Sequence, residues 1–151
     1  MTTNPPPLPP PPRPRRLLAI DPGQRRTGVA LSDDLGFYAH PRPALTLAGA
    51  ALAGAVAALV AAEGVDEVVV GLPLSLSGAD SAQTVAARAL VRQLRALVTV
   101  PVTEWDERLS SVEAGRRVRG AANRKSGALD SESAAVILQA VIDSRRGSGR
   151  Q

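Results

Sequence analysis

From Arg16 onward, apolar and polar residues follow two rhythms. Leu17–Ile20 is an unbroken aliphatic run ending on Asp21, and "TGVALSDD" resumes from Thr27 after a short turn. That spacing predicts an antiparallel pair of strands, the first over about Arg16–Asp21. A third strand is expected over Phe37–Pro43 and its neighbours. "EVVVG", Glu67–Gly71, is a β-branched run of the kind buried on both faces. "VPVTEW" is a further strand, running into Asp106-Glu107-Arg108.

Between the strands the period lengthens. Leu52, Val56, Leu59 and Val60 fall on one face of a helix. This helix lies within Leu45–Ala62, eighteen residues without a charge, about the length of a membrane span. Nine of the fifteen residues from Ala48 to Ala62 are alanine, so the stretch reads as a helix packed on a sheet. A second helix is expected from about Ala82 to Val98. Arg88, Arg92 and Arg95 form its solvated side, with Leu90, Leu94 and Leu97 opposite. Ser110 followed by Glu113 forms a capping box that would open a third helix. Arg119–Gly127 reads as a basic loop, and a last helix is expected from about Asp130 to Arg145. The order βββ-α-β-α-β-α-α implies a mixed α/β sheet of five strands with flanking helices.

Composition narrows the partners. The chain has 151 residues and a formal charge of +4, with a single Lys and seventeen Arg, a mild pointer to an anionic ligand. Arg116, Arg117, Arg119, Arg124 and Lys125 sit in one ten-residue stretch that contains no acid. Cysteine is absent, which excludes disulfides and thiolate chemistry and suits a reducing cytoplasm. Eight of the thirteen prolines lie in the first fourteen residues. The expected organisation is a Pro-rich tail over residues 1–15, one domain over 16–146 and a flexible end over 147–151. The tail has no apolar core of a secretory signal.

Three carboxylates are harder to assign to folding alone. Asp21 could be a turn former before Pro22, but by period two it shares a face with Leu17 and Ala19, at the edge of a core. Asp130 could be a helix cap. If the helix includes it, it points with Ala134, Ile137 and Leu138 toward the sheet, whereas Glu132 aligns with Gln139 and Asp143 on a wetter side. Glu107, taken alone, is an ordinary surface acid. Together the three suggest a cluster at one edge of the sheet. A hard divalent cation, Mg²⁺ or Mn²⁺, would offset their repulsion and could activate water at phosphorus. "GQRRTG" has the spacing of a phosphate loop but lacks the following Lys-Ser/Thr, which excludes one. His40, the single histidine, lies between prolines and supports no triad.

"DPGQRRTGVALSD", "VVVGLPLSLSG…QT", "WDERLSSVEA" and "RKSGALDSESAAVILQ" resemble, in order, the motifs of the YqgF/RuvX family of Holliday-junction-resolvase-like proteins. The match spans about Leu17 to Ser144. The resemblance implies a ribonuclease-H-like fold and a metal-dependent nuclease site with Asp21, Glu107 and Asp130 as catalytic metal ligands. It further implies 5′-end maturation of the small-subunit ribosomal RNA precursor, or cleavage of branched DNA, as activities. Arg26, Arg108, Arg124 and Lys125 are the candidate phosphate contacts. No membrane association is expected, and a two-fold DNA junction would favour a homodimer. Two departures are visible: Ser75 where the family often has Asn, and Arg in place of Lys before the last acid. A non-catalytic binding protein is the competing reading, which the acid trio argues against. An actin-like ATPase needs two such domains, more than this length provides.

Overall fold

The computed structural model describes residues 3–9, 15–74, 81–110 and 131–148. Five strands form one sheet: β1 (Leu17–Pro22), β2 (Thr27–Ser32), β3 (Ala39–Leu45), β4 (Glu67–Leu72) and β5 (Val102–Asp106). Their spatial order is β3-β2-β1-β4-β5. The two hairpin partners of β1 and β2 are antiparallel, whereas β1–β4 and β4–β5 are parallel. The mixed sheet expected from the element order is therefore the sheet observed.

Three α-helices are described: α1 (Gly49–Glu63), α2 (Ala82–Leu97) and α3 (Glu132–Ser148). The helix expected after Ser110, the basic loop Arg119–Gly127 and the residues Asp130, Arg124 and Lys125 lie outside the described residues. β3 begins two residues later than expected, because Asp33 Oδ1 accepts the Phe37 N–H and holds residues 33–37 in a turn.

Strand alternation divides the core between the two faces of the sheet. Leu18, Ile20, Val29, Leu31, Val68 and Val70 point toward α1 and α2, where they meet Leu52, Val56, Leu90 and Leu94. Leu17, Ala19, Ala30, Ala39 and Val69 point the other way, against Ala134, Ala135, Ile137, Leu138 and Val141 of α3. This second layer is dominated by alanine, and small side chains on both surfaces let α3 lie close to the strands. The uncharged stretch around α1 thus packs on the sheet, and among the described residues no helix is long and apolar enough to cross a membrane.

Two polar contacts fix α3 in register. Ser131 Oγ accepts the backbone N–H of Val29 at 3.0 Å, beside the point where the β2–β3 pairing shifts register. Gln139 is almost fully buried: its Oε1 accepts the Ala39 N–H and its Nε2 donates to the Phe37 carbonyl. The side of α3 expected to be wet is thus wet only in part. Gln139 is turned inward because Ala39 of β3 offers it a donor and Phe37, just before the strand, an acceptor. At the far end of the sheet, Arg145 of α3 donates to both carboxylate oxygens of buried Glu67, at 2.9 and 2.7 Å.

The arginine side of α2 is partly structural. Arg95 donates to the Val102 carbonyl at 2.8 Å, and Arg88 lies 3.9 Å from Glu104. Leu97, expected on the apolar side, is 55% exposed at the end of the helix.

Candidate active site

The parallel strands β1, β4 and β5 all point their carboxyl ends at one edge of the sheet, the edge where ligands of such sheets bind. Asp21 is the fifth residue of β1, in phase with Leu17 and Ala19, so its carboxylate emerges on the α3 side. Pro22 extends the strand by one residue. Gly23 then turns the chain, with its N–H donating to the Arg26 carbonyl at 3.1 Å. A Cβ at Gly23 would lie 2.5 Å from that same oxygen, so the tight turn requires glycine.

Glu107 follows β5. It begins a single 3₁₀ turn, Glu107–Leu109, whose amino end is capped by the Asp106 side chain accepting the Arg108 N–H at 2.9 Å. The turn swings Glu107 off the strand and back toward β1, where its carboxyl and that of Asp21 share a hydrogen bond. The two acids, 86 residues apart in sequence, are therefore brought together. Burial pushes the Glu107 carboxyl up to about 8, and the Asp21 contact and the charges of Asp21 and Asp106 add to the effect.

Three neighbours that the sequence did not assign to this site shape it. Gly71, at the carboxyl end of β4, provides the room for Glu107: a Cβ there would lie 3.0 Å from Glu107 Oε1 and 2.8 Å from Ile137 Cδ1. A glycine closing a β-branched run signals such a close approach. Ser110 and Glu132 join Asp21, Glu107 and Ile137 around a cavity of about 350 Å³. The Ser110 Oγ is buried with no hydrogen-bond partner among the described residues, so it stands ready to take one. Glu132, expected on the wetter side of the last helix, is half-exposed and lines this cavity. The first turn of α3 follows directly from the Ser131 anchor, which brings that turn to the cavity.

The donor set consists of oxygens alone, which is the preference of Mg²⁺ or Mn²⁺. Two adjacent carboxyls, that of Glu107 raised by burial and by its neighbour, beside a buried hydroxyl with no partner among the described residues, are what a dication would satisfy. The residues fit such an ion. Among the described residues no group of three or more His, Asp or Glu side chains converges on a metal position. Asp130, the third carboxylate of the sequence reading, lies outside them, one residue before the anchored Ser131.

The candidate phosphate contacts are distributed unevenly. Arg26 lies on the exposed turn after Asp21. Arg108 is on the 3₁₀ turn, where its Nε and Nη2 donate to Asp106, at 2.7 Å for the shorter contact. Those bonds hold the Asp106 carboxyl below its usual range. Arg124 and Lys125 lie outside the described residues.

The sequence model of a family described as "RuvX: Holliday junction resolvase" matches residues 15–144. A protein of Koribacter versatilis named "Putative pre-16S rRNA nuclease" is 41% identical over 140 residues, covering 90% of this chain and 91% of its own. A protein of the same name from Thermobifida fusca is 42% identical over 140 residues, with 85% and 87% covered. Among solved structures, T. thermophilus RuvC in complex with a Holliday junction substrate aligns with a TM-score of 0.59 at 14% identity. That alignment covers 89% of this chain and 97% of the RuvC chain. The fold shared with RuvC is the ribonuclease-H-like one that the sequence motifs implied.

Proposed function

The chain belongs to the RuvX family of Holliday junction resolvases, and from that premise we propose that it is a metal-dependent nuclease that processes the 5′ end of pre-16S rRNA. The observation that carries the chemistry is the meeting of Asp21 and Glu107 at the carboxyl edge of the sheet, where burial and the neighbouring Asp21 raise the Glu107 carboxyl. A protein that only bound nucleic acid would gain nothing from bringing two half-buried acids together, since both repel phosphate. The substrate is taken from the names of relatives about 40% identical over most of the chain.

In this reading Asp21, Glu107 and Asp130 would be the carboxylates that hold a Mg²⁺ or Mn²⁺ ion. The bound Mg²⁺ or Mn²⁺ supplies charge stabilisation at phosphorus and a more acidic water. Glu107, confined beside Gly71, would orient the attacking water, whose oxygen bonds to phosphorus while its proton passes to solvent. The bond to the strand oxygen breaks, and that oxygen leaves with the electron pair and takes a proton from solvent. Ser110 Oγ offers a hydrogen bond to the water or to a phosphate oxygen. Arg26, Arg108, Arg124 and Lys125 hold the backbone on either side, a role that makes binding strongly salt-dependent. The protein acts in the cytoplasm, consistent with its lack of cysteine.

Branched DNA is the second reading, favoured by the description of the family and by the shared fold with RuvC. It would call for a homodimer, because a four-way junction presents two equivalent cleavage points. Cleavage of precursor rRNA and of junction DNA, measured side by side with Mn²⁺, decides between the two. Asp21→Asn is expected to abolish cutting while leaving folding and binding intact. Turnover by that variant would overturn the catalytic assignment, and tight binding without cutting of either substrate would favour the binding protein.

A further inference from the structure

A second cavity, of about 500 Å³, opens on the opposite face of the sheet from the acids but at the same edge. Pro22, the residue after Asp21, lines it, because successive residues of a strand face opposite sides. Its floor is apolar, with Leu52 of α1 and Leu90 of α2 both buried. Its rim carries the side chains of Gln24, Arg25, Gln83 and Gln93, and among the described residues no carboxylate lines it. The acid-lined cavity near α3 thus has a neutral-to-basic counterpart across the turn Gly23–Arg26.

We propose that this cavity binds an unpaired nucleotide of the substrate strand, next to the one cut at Asp21. The proposal rests on the nuclease reading and extends it to substrate selection. An apolar floor flanked by amides accepts a flat heterocycle, whose edge the glutamines can meet with either donors or acceptors. Arg25 stands at the mouth for the adjoining phosphate. The amino end of α1 opens into the same space, where Ala48 provides no side-chain cap and the first turn holds no acid. A base still paired in a duplex cannot enter such a recess, so the cavity selects for single-stranded nucleic acid beside the cleavage point. A strand crossing the turn has its phosphodiester on the acid side and its next base on the glutamine side.

Two variants test the idea in the full chain. Ala86→Phe fills the cavity from the exposed surface of α2, and the double variant Gln83→Ala/Gln93→Ala removes the edge contacts while keeping the helix. Binding is read by fluorescence anisotropy in the Asp21→Asn background. The probes are a labelled RNA hairpin with a single-stranded extension and the same hairpin with a blunt end. Wild-type cavity residues should bind the extended hairpin more tightly. Each variant should lose about tenfold in affinity for it and nothing for the blunt one. With Asp21 present, KM for the extended substrate should rise more than kcat falls. Unchanged affinities in the glutamine double variant, or equal binding of both hairpins before mutation, would overturn the cavity assignment while leaving the nuclease reading intact. A protein that binds and cuts neither probe would overturn both. Circular dichroism and a melting curve identify any loss from misfolding, and the surface glutamine pair carries the test should Ala86→Phe not fold.

Discussion

The missing side chain of Gly71 is the space that Glu107 occupies, since a Cβ on Gly71 would stand 3.0 Å from Glu107 Oε1. A strand residue is thereby coupled to a carboxylate 36 positions later. Gly71→Ala is expected to lower cleavage by about a hundredfold, because a displacement near 1 Å in a reacting site costs on that order. Stability should fall by about 1–3 kcal/mol from overpacking against Ile137. Comparing kcat with a urea melt checks it. A variant with wild-type kcat would show that Glu107 tolerates displacement.

Glu107 also makes the stability of the metal-free protein depend on pH. Its carboxyl is raised from 4.5 to about 8 in the folded chain, so folding takes up a proton between those values. More protons are then bound in the folded state than in the unfolded one, and stability must decline as pH rises from 4.5 toward 8. Glu107→Gln, which keeps a donor for Asp21, should remove this decline and melt above wild type at pH 8 in the presence of a chelator. Melting curves across pH measure the difference, and parallel profiles for both proteins would refute it.

Glu67 predicts the reverse slope. Hydrogen bonds from Arg145 hold its carboxyl below the usual value, with Thr103 and Arg15 assisting against the opposing effect of burial. That contribution is present above pH 4.5, the value in the unfolded chain, and is lost as pH falls through the lower folded value. Glu67→Gln should cost about 1–3 kcal/mol at neutral pH, discounted because Arg145 is itself half-exposed. The deficit should shrink in acid, which chemical denaturation at pH 3 and pH 7 would reveal.

Ser131→Ala leaves the buried Val29 N–H without its acceptor. A loss of about 1–3 kcal/mol is expected for such an orphaned group. Because this anchor fixes the start of α3, cleavage at a temperature well below the melting point should fall as well. Ser131→Thr, which keeps the hydroxyl, should recover part of the rate, and a Thr variant no better than Ala would reduce Ser131 to a packing residue.

How much of this was legible beforehand differs by element. The strand ending on Asp21 was readable because its aliphatic run marks it as a strand, and the period of two then places the acid on the face of Leu17 and Ala19, where the structure puts it. β-branched composition identified β4, and helical periodicity identified α1 and α2. The meeting of Asp21 with Glu107 was expected only from their common placement at strand ends and from the family motifs. No local signal specified the 3₁₀ turn that swings Glu107 inward. Gln139 was misplaced because helical phase predicts which residues share a side, but not what the sheet offers that side.

Sequence by itself determined the strands, the mixed sheet, the oxygen-rich candidate chemistry and the family, since each depends on spacing within a segment or on ordered motifs. Tertiary structure alone decided that Gly71 makes room for Glu107, that Ser131 anchors α3 to a bulged strand, and that two unlike cavities flank the turn after Asp21. Those facts depend on distances between segments far apart in the chain, and such distances are set by how the sheet orders its strands and how closely the helices pack upon it.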